Sequence, residues 1–165
     1  GNGAAMRVSA CGFVADSLEQ TKELSAAVTK ISHNHPEGMK GAEATAVAIY
    51  MARTGSSMQE IRDYITANYY DIDFTLDEIR PTYSFDVTCQ GSVPQALEAF
   101  FESTSFEDAI RNAISIGGDS DTLAAITGGV AEAFYGIPED IRAEAVEFLD
   151  PRLREVLEKF EGRFK

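Results

Sequence analysis

The segment 117–122, Gly-Gly-Asp-Ser-Asp-Thr, holds the residues whose types and spacing are best suited to chemistry. Its paired glycines allow a tight backbone bend with open access for a ligand. Asp119 and Asp121 follow at alternate positions, and Thr122 adds a hydroxyl group. Carboxylate and hydroxyl oxygens are hard donors of the kind that Mg²⁺, Mn²⁺ and Ca²⁺ prefer. The segment therefore predicts a divalent-cation site.

The same spacing also has a structural explanation. Aspartate and serine often cap a helix, and the helix dipole favours acidic residues in the first turn. The following residues 123–129 carry no charge and end in two glycines, which indicates a buried helix. Carboxylates that introduce a buried helix are costly unless they are paired or bound to a metal. On the residues alone, helix capping and a metal site both remain open.

A second polar segment, residues 32–38, holds both histidines of the chain in the run Ser-His-Asn-His-Pro-Glu-Gly. Two histidines without a third local ligand are weak evidence for a transition-metal site. Pro36 suits the first position of a helix, which Asn34 or His35 can cap. We interpret His35 as a capping or surface residue and expect His33 to face a ligand.

The remaining candidates give weaker signals. Residues 1–7, Gly-Asn-Gly-Ala-Ala-Met-Arg, can present backbone amides to an anion, or they can be a disordered terminus. Cys89 would suit a Cys–His hydrolase, but no motif supports one and we expect a buried, unreactive thiol. Several aromatic residues could stack on a base, although core packing is the expected role of most: Tyr69, Tyr70, Phe74, Tyr83 and Phe85.

Capping patterns and apolar spacing predict an all-α chain of about eight helices of roughly 8–18 residues. Residues 83–87 alternate in polarity, but they lie between Pro81 and Gly91 and are interpreted as an extended loop. The predicted helix starts are at these capping residues: Ser17, Ser57, Thr75, Ser92, Ser105 and Asp150.

Two of the predicted helices, residues 36–53 and about 120–135, are unusually rich in glycine and alanine. Glycine inside a helix costs about 1 kcal/mol relative to alanine. Close approach of neighbouring helices can offset that cost, so we expect both helices to lie at the centre of the fold. Segment 32–38 opens the first of them, and segment 117–122 leads into the second.

The composition excludes several classes of function. The formal net charge of −13 argues against nucleic-acid binding and against docking on anionic membranes. No apolar run approaches the ~20 residues of a transmembrane helix, and no secretory leader pattern is present. Two widely spaced cysteines, Cys11 and Cys89, suit a reducing compartment, so we expect a cytoplasmic protein.

Three segments together resemble the motifs of the ADP-ribosylglycohydrolase family, which includes the dinitrogenase reductase-activating glycohydrolase. Residues 117–129 resemble its C-terminal metal motif, residues 1–7 resemble its G-N-G-x-x-M-R motif, and residues 32–38 resemble a third block. The order and spacing of the three also fit, so the resemblance covers essentially the whole chain. It implies an all-α orthogonal helical bundle, with residues 1–165 forming a single domain.

The resemblance also implies a site and a reaction. The family uses two Mg²⁺ or Mn²⁺ ions to cleave the glycosidic bond between ADP-ribose and an arginine, a serine or another acceptor. Carried over by motif, Asp119, Asp121 and Thr122 are the expected metal ligands. The other carried-over residues are expected to contact ADP-ribose or an ADP-ribosylated substrate: Asn2, Gly3, Ala4, Met6, His33, Gly118 and Ser120.

Two further family blocks, G-D-x-x-G and T-D-D-T, do not occur in the sequence. In the family they supply additional metal ligands and substrate-facing acids, and the catalytic acids are expected there. We therefore expect this chain to be a C-terminal portion that has little activity alone and that self-associates or binds a complementing N-terminal chain. The alternative is a non-catalytic domain that binds ADP-ribose or another partner.

Overall fold

The computed structural model describes residues 1–164, in which the chain forms eleven helices and no β-strand, so the predicted all-α class is confirmed. The helices are α1 (Gly3–Met6), α2 (Ser9–Val14), α3 (Leu18–Thr29), α4 (Pro36–Arg53), α5 (Met58–Asn68), α6 (Leu76–Ile79), α7 (Val93–Phe101), α8 (Phe106–Ser115), α9 (Ser120–Tyr135), α10 (Glu139–Glu147) and α11 (Pro151–Phe164).

Local capping chemistry sets most of the helix starts. Ser57 and Thr75 each form a full capping box with the glutamate three residues later. The hydroxyl of the cap accepts a hydrogen bond from the backbone amide of that glutamate, and the glutamate carboxylate accepts one from the backbone amide of the cap. Ser17, Ser105 and Asp150 also cap through their side chains. Within the described chain, eight helices have 9 to 18 residues, as predicted, while α1, α2 and α6 are additional short helices.

Helix α7 begins after Ser92 as predicted, but the predicted capping by the Ser92 side chain is wrong. Its backbone is not extended as a cap requires, and its side chain makes no capping hydrogen bond to α7. The hydroxyl instead donates to the carbonyl of Asp86, at 3.2 Å, and accepts from the side-chain amide of Asn2, at 3.1 Å. A tertiary contact has therefore displaced the local one.

The two small-residue helices, α4 and α9, lie at the centre as predicted. Helix α4 packs against α1, α2, α3, α5, α7 and α9, and α9 also packs against α1, α2, α7 and α8. Ten of the residues of α4 and six of those of α9 are buried. Thr122 near the start of α9 contacts Met6 of α1, and a Cβ atom on Gly38 near the start of α4 would lie 3.9 Å from Ala4 of α1. The starts of both helices therefore lie beside α1.

Missing side chains at three glycines allow this close packing. A Cβ atom on Gly12 of α2 would lie 2.6 Å from the carbonyl oxygen of Ala46 in α4. One on Gly41 of α4 would lie 2.6 Å from the Cys89 sulfur, and one on Gly129 of α9 would lie 3.2 Å from Ile49. With alanine at the first two positions, α4 could not approach α2 and the loop at Cys89 so closely.

Helices α10 and α11 form a peripheral pair with no buried residue. An ion pair between Arg142 and Glu161 joins them, and Phe148 between them is 85% exposed. Leu153 and Val156 on α11 are also exposed. Within residues 1–164, no helix combines the length and the apolar character needed to cross a bilayer.

The packing at Gly12 gives a direct test of the central contact. We expect Gly12→Ala to lower the free energy of unfolding by about 1–3 kcal/mol, because its methyl group would overlap backbone and side-chain atoms of α4. Gly162→Ala is the matched control, since open space surrounds Gly162 in α11 and alanine favours the helix by up to about 1 kcal/mol. Urea unfolding measures both. Equal effects of the two substitutions would contradict this account of α2–α4 packing.

Candidate functional site

The side-chain amide of Asn2 joins three parts of the chain at the candidate site. Its nitrogen lies 2.8 Å from Oδ2 of Asp119, 3.1 Å from Oγ of Ser92 and 3.2 Å from the carbonyl oxygen of Asp86. The backbone amide of Asn2 also donates to the carbonyl of Val87, at 2.7 Å. Asn2 is buried, so its contacts are shielded from water. The structure thus brings together two predicted segments whose contacting residues are 117 positions apart.

The loop of residues 83–92 forms one wall of this site and is held by its own hydrogen bonds. The Tyr83 hydroxyl donates to the carbonyl of Gly91 at 2.7 Å, and Oδ1 of Asp86 accepts from the amide and hydroxyl of Thr88 at 2.6 Å each. It contains no strand, as predicted, and Phe85 is exposed on it. The loop therefore presents a fixed carbonyl and hydroxyl to Asn2.

The three predicted metal ligands lie at the start of α9 with different exposures. Thr122 is buried, Asp119 is half-buried and Asp121 is exposed. Burial alone would raise the pKa of the Asp119 carboxyl. The hydrogen bond from Asn2 is the largest of the effects that outweigh burial and hold this pKa below its ordinary value. Asp119 is thus an ionised group at neutral pH.

The donor chemistry of this turn fits a divalent cation. The carboxyl groups of Asp119 and Asp121 belong to residues two positions apart in one turn, so they repel when both are ionised. A cation between them would remove that repulsion. The Thr122 hydroxyl donates toward the sulfur of Met6 at 3.5 Å, which leaves its oxygen lone pairs available as a ligand. Asp119 makes no capping hydrogen bond with its side chain.

The turn supplies only part of a metal shell. Among residues 1–164, no group of three histidine, cysteine, aspartate or glutamate residues is arranged to hold a metal ion. Asp119, Asp121 and Thr122 offer two carboxylates and one hydroxyl from a single turn. Since Mg²⁺ takes six oxygen ligands and Ca²⁺ six to eight, the remaining positions would need water, ligand oxygens or other residues.

Gly118 and Ser120 flank Asp119 on the open side of the turn. Gly118 has a φ of +67°, and a Cβ atom there would lie 2.6 Å from the Tyr83 ring. Glycine is therefore required both by the backbone conformation and by the contact with the 83–92 loop. Ser120 begins α9 and is half-buried.

The segment 1–7 forms α1 beside His33. The amides of Asn2, Ala4, Ala5 and Met6 donate to carbonyl groups of the protein, so these amides are not free to bind an anion. Ala4 is buried, Met6 contacts Thr122, and Gly3 lies against the imidazole of His33, whose Nε2 is 3.1 Å from the position of a Cβ atom on Gly3. The segment contributes the Asn2 side chain and a close approach to His33.

The other candidates have structural roles. Nδ1 of His35 accepts from the amide of Glu37 at 3.2 Å and caps α4, which confirms the capping interpretation. Cys89 is a buried free thiol, and burial raises its pKa, as expected for an unreactive group. Tyr70 is buried, whereas Phe85 is 66% exposed and does not belong to the core.

The sequence did not indicate two residues that shape this site. Ser92 holds the Asn2 amide, and Arg7 contacts His33 through its guanidinium group. Their partners are 90 and 26 positions away, so no local spacing could reveal either contact. The only signal for Arg7 is its place as the last residue of the segment 1–7.

Comparison with known proteins places the chain among related sequences. The ADP-ribosylglycohydrolase family matches residues 1–165. The human ADP-ribosylhydrolase ARH3 is 22% identical over 84% of this chain and 51% of its own length. The ADP-ribosylarginine hydrolase Tri1 of Pseudomonas putida is 28% identical over 83% of this chain and 39% of its own length. The chain thus spans about half the length of the human relative and less of the Pseudomonas one.

A solved structure shares the fold. A chain of an ADP-ribosylglycohydrolase-related protein complex matches 97% of this chain with a TM-score of 0.72 and 23% identity. The match covers 58% of that chain and confirms the predicted all-α architecture. Because one family matches the whole sequence, the chain belongs to the ADP-ribosylglycohydrolase family.

Proposed function

We propose that residues 1–165 supply part of the active site of a hydrolase that cleaves the glycosidic bond of an ADP-ribosylated protein or small molecule. The observation that carries the proposal is the 2.8 Å hydrogen bond from Asn2 to Asp119, because it joins two segments that resemble family motifs. The residues form a single domain that corresponds to the C-terminal portion of the family fold. The names of the human and Pseudomonas relatives support the reaction class.

Asp119, Asp121 and Thr122 are the proposed ligands of a binuclear Mg²⁺ or Mn²⁺ site. The low pKa of Asp119 supports this role, because an ionised carboxylate binds a cation without first losing a proton. Asn2 fixes which carboxylate oxygen of Asp119 is engaged by hydrogen bonding. When bound, the ions supply positive charge that polarises the reacting water and orients the ribose hydroxyl groups.

The proposed ADP-ribose cleft lies along segment 1–7. Asn2, Gly3, Ala4 and Met6 line it on one side, and His33 contacts the ligand beside Gly3. Gly118 and Ser120 approach the ribose or the phosphates from the start of α9. The contact of His33 with Gly3 and that of Met6 with Thr122 support a continuous wall between the cleft and the metal ligands.

The general acid and base belong, in this proposal, to a part of the active site that residues 1–165 do not supply. Glycosidic cleavage passes through a transition state with positive charge on the anomeric carbon, and acidic side chains commonly assist it. Asp119 and Asp121 are engaged as ligands, so they are not assigned that role. The acceptor, whether arginine, serine or another group, is not specified by any residue of this site.

A second candidate is a non-catalytic domain that binds ADP-ribose. The absence of a three-residue metal cluster within residues 1–164 favours it, because half a shell supports ligand binding more readily than turnover. Both proposals include the cytoplasmic location that is expected from the sequence.

The metal-ligand proposal is tested by substitution. We expect Asp119→Asn and Asp121→Asn each to weaken Mn²⁺ binding by roughly tenfold or more, because each removes a charged oxygen ligand. Titration calorimetry of the 165-residue chain with Mn²⁺ measures this. Asp140→Asn is the matched control, since Asp140 is an exposed acid in the first turn of α10. Unchanged Mn²⁺ affinity in the first two variants would overturn the ligand assignment.

The catalytic proposal is tested by complementation. We expect the 165-residue chain alone to release little ADP-ribose from serine- or arginine-linked substrates. Adding a family segment with the G-D-x-x-G and T-D-D-T blocks should raise release by roughly a hundredfold or more, the range that positioned acid–base groups supply. Mass spectrometry of released ADP-ribose measures it, and Asp119→Asn in the same mixture should stay low. Efficient release by the chain alone would refute the division of the site, whereas ligand binding without release would favour the second candidate.

Exposed apolar residues predict association of the chain. Val28, Ile31, Phe85 and Val87 are all exposed on segments next to the candidate cleft. We expect the chain to self-associate or to bind a complementing N-terminal chain through these residues. The double variant Ile31→Ser, Phe85→Ser should associate more weakly. Phe148→Ser, on the peripheral helices, is the control. Sedimentation velocity over a concentration series reports the state, and a strictly monomeric chain that binds no complementing segment would contradict this expectation.

A further inference from the structure

Arg7, just after α1, makes an unusual set of contacts around His33. Its Nη2 atom lies 3.2 Å from Nδ1 of His33 and 3.4 Å from Oγ of Ser32, while its Nε donates to the carbonyl of Gly3 at 2.8 Å. The Ser32 hydroxyl is itself 2.8 Å from Nδ1 of His33. One side chain therefore connects the loop after α3 to the backbone of segment 1–7.

These contacts determine where the imidazole of His33 carries its proton. A guanidinium group has only donors, so Nδ1 must act as the acceptor. The Ser32 hydroxyl can either accept from Arg7 or donate to Nδ1, and neither arrangement leaves room for a proton on Nδ1. In the neutral ring the proton is therefore on Nε2.

The protonated edge of the ring faces the candidate cleft. Nε2 lies 3.1 Å from the Cβ position of Gly3 and 3.7 Å from that of Gly1, so this edge of the ring lies against the glycines of segment 1–7. The same region borders a cleft of about 200 Å³ between α1 and α3, lined by Gly3, Arg7, Val28 and His33 among others. A hydrogen on Nε2 would therefore lie between segment 1–7 and this cleft.

The charges around His33 favour the neutral ring. Burial lowers its pKa first, followed by the positively charged guanidinium of Arg7. Protonation of Nδ1 would also replace the hydrogen bond from Arg7 with a contact between two cations. His33 is thus a neutral donor at and above neutral pH.

We propose that Arg7 is a positioning residue that holds His33 as the neutral Nε2–H tautomer, so that the ring donates a hydrogen bond to a hydroxyl or phosphate oxygen of the ligand. The identity of the ligand rests on the proposed function, whereas the tautomer follows from the contacts alone. The ring acts as a directional donor and not as a cation, so it selects for an oxygen acceptor at one point of the cleft.

The chain contains an internal reference for this proposal. His35, the only other histidine, also accepts at Nδ1, but from the backbone amide of Glu37. Its tautomer is therefore set by the start of α4 and not by a guanidinium group. A change that acts through Arg7 should alter the signals of His33 and leave those of His35 unchanged.

The experiment is ¹⁵N NMR of the imidazoles in the ¹⁵N-labelled 165-residue chain, across a pH titration. We expect His33 of the unaltered chain to be a single Nε2–H tautomer at pH 8. Arg7→Met removes the donor while keeping an apolar stem, and should raise the titration midpoint of His33 and populate the Nδ1–H form. Arg111→Met, an exposed arginine on α8 paired with Glu107, removes the same charge elsewhere and should change neither.

ADP-ribose binding gives the second readout. We expect Arg7→Met to weaken binding of ADP-ribose by about three- to tenfold, the loss expected for one misdirected neutral hydrogen bond. If His33 of the unaltered chain is a mixture of tautomers or an Nδ1–H form, the proposal is overturned without any need for a variant. An Arg7→Met variant with the original tautomer and midpoint also overturns it. If the NMR results are as expected but the chain binds no ADP-ribose, the effect of Arg7 on the His33 tautomer stands and the proposed contact of His33 with ADP-ribose fails.

Discussion

The candidate site depends on one buried primary amide. The side-chain nitrogen of Asn2 has two hydrogens and three oxygen acceptors, from Asp119, Ser92 and Asp86. Asn2 and Ser92 are buried, whereas Asp119 and Asp86 are half-buried. Loss of the amide would leave the buried Ser92 hydroxyl without this donor, at a cost of about 1–3 kcal/mol. The amide therefore fixes both the loop of residues 83–92 and the carboxylate of Asp119, and a shift of any one part affects the other two.

The polar residues of the site lie at the starts of the closely packed central helices. Helix α9 starts at Ser120, next to Asp119, and α4 starts shortly after His33. Glycines at 12, 41 and 129 remove the side chains that would hold neighbouring segments apart. The cost of glycine in a helix is thus offset by tertiary contact, and the packing stabilises the region in which the polar residues meet.

The sequence predicts those features whose physical cause is local. The capping boxes at Ser57 and Thr75 and the bounds of α4 and α9 follow from interactions over three or four residues or from helical spacing. Ser92 has the same local pattern but was predicted wrongly, because its hydroxyl bonds Asn2 across 90 positions. The role of Arg7 toward His33 was also beyond local patterns. The resemblance to family motifs assigned segments 1–7, 32–38 and 117–122 to one site. The contacts between their side chains became visible only in the folded structure.

The charge of the chain constrains how the proposed site can hold its ligand. With a net charge of −13, the protein repels a diphosphate over most of its surface, and Asp119 and Asp121 add two acids beside the cleft. A neutral donor such as His33 orients an oxygen but supplies no net positive charge. In the proposed site, divalent cations would therefore add to the single positive charge that Arg7 contributes to the lining of the cleft. Cation and ADP-ribose would then each strengthen the binding of the other by the same factor, because the coupling free energy between two sites is reciprocal.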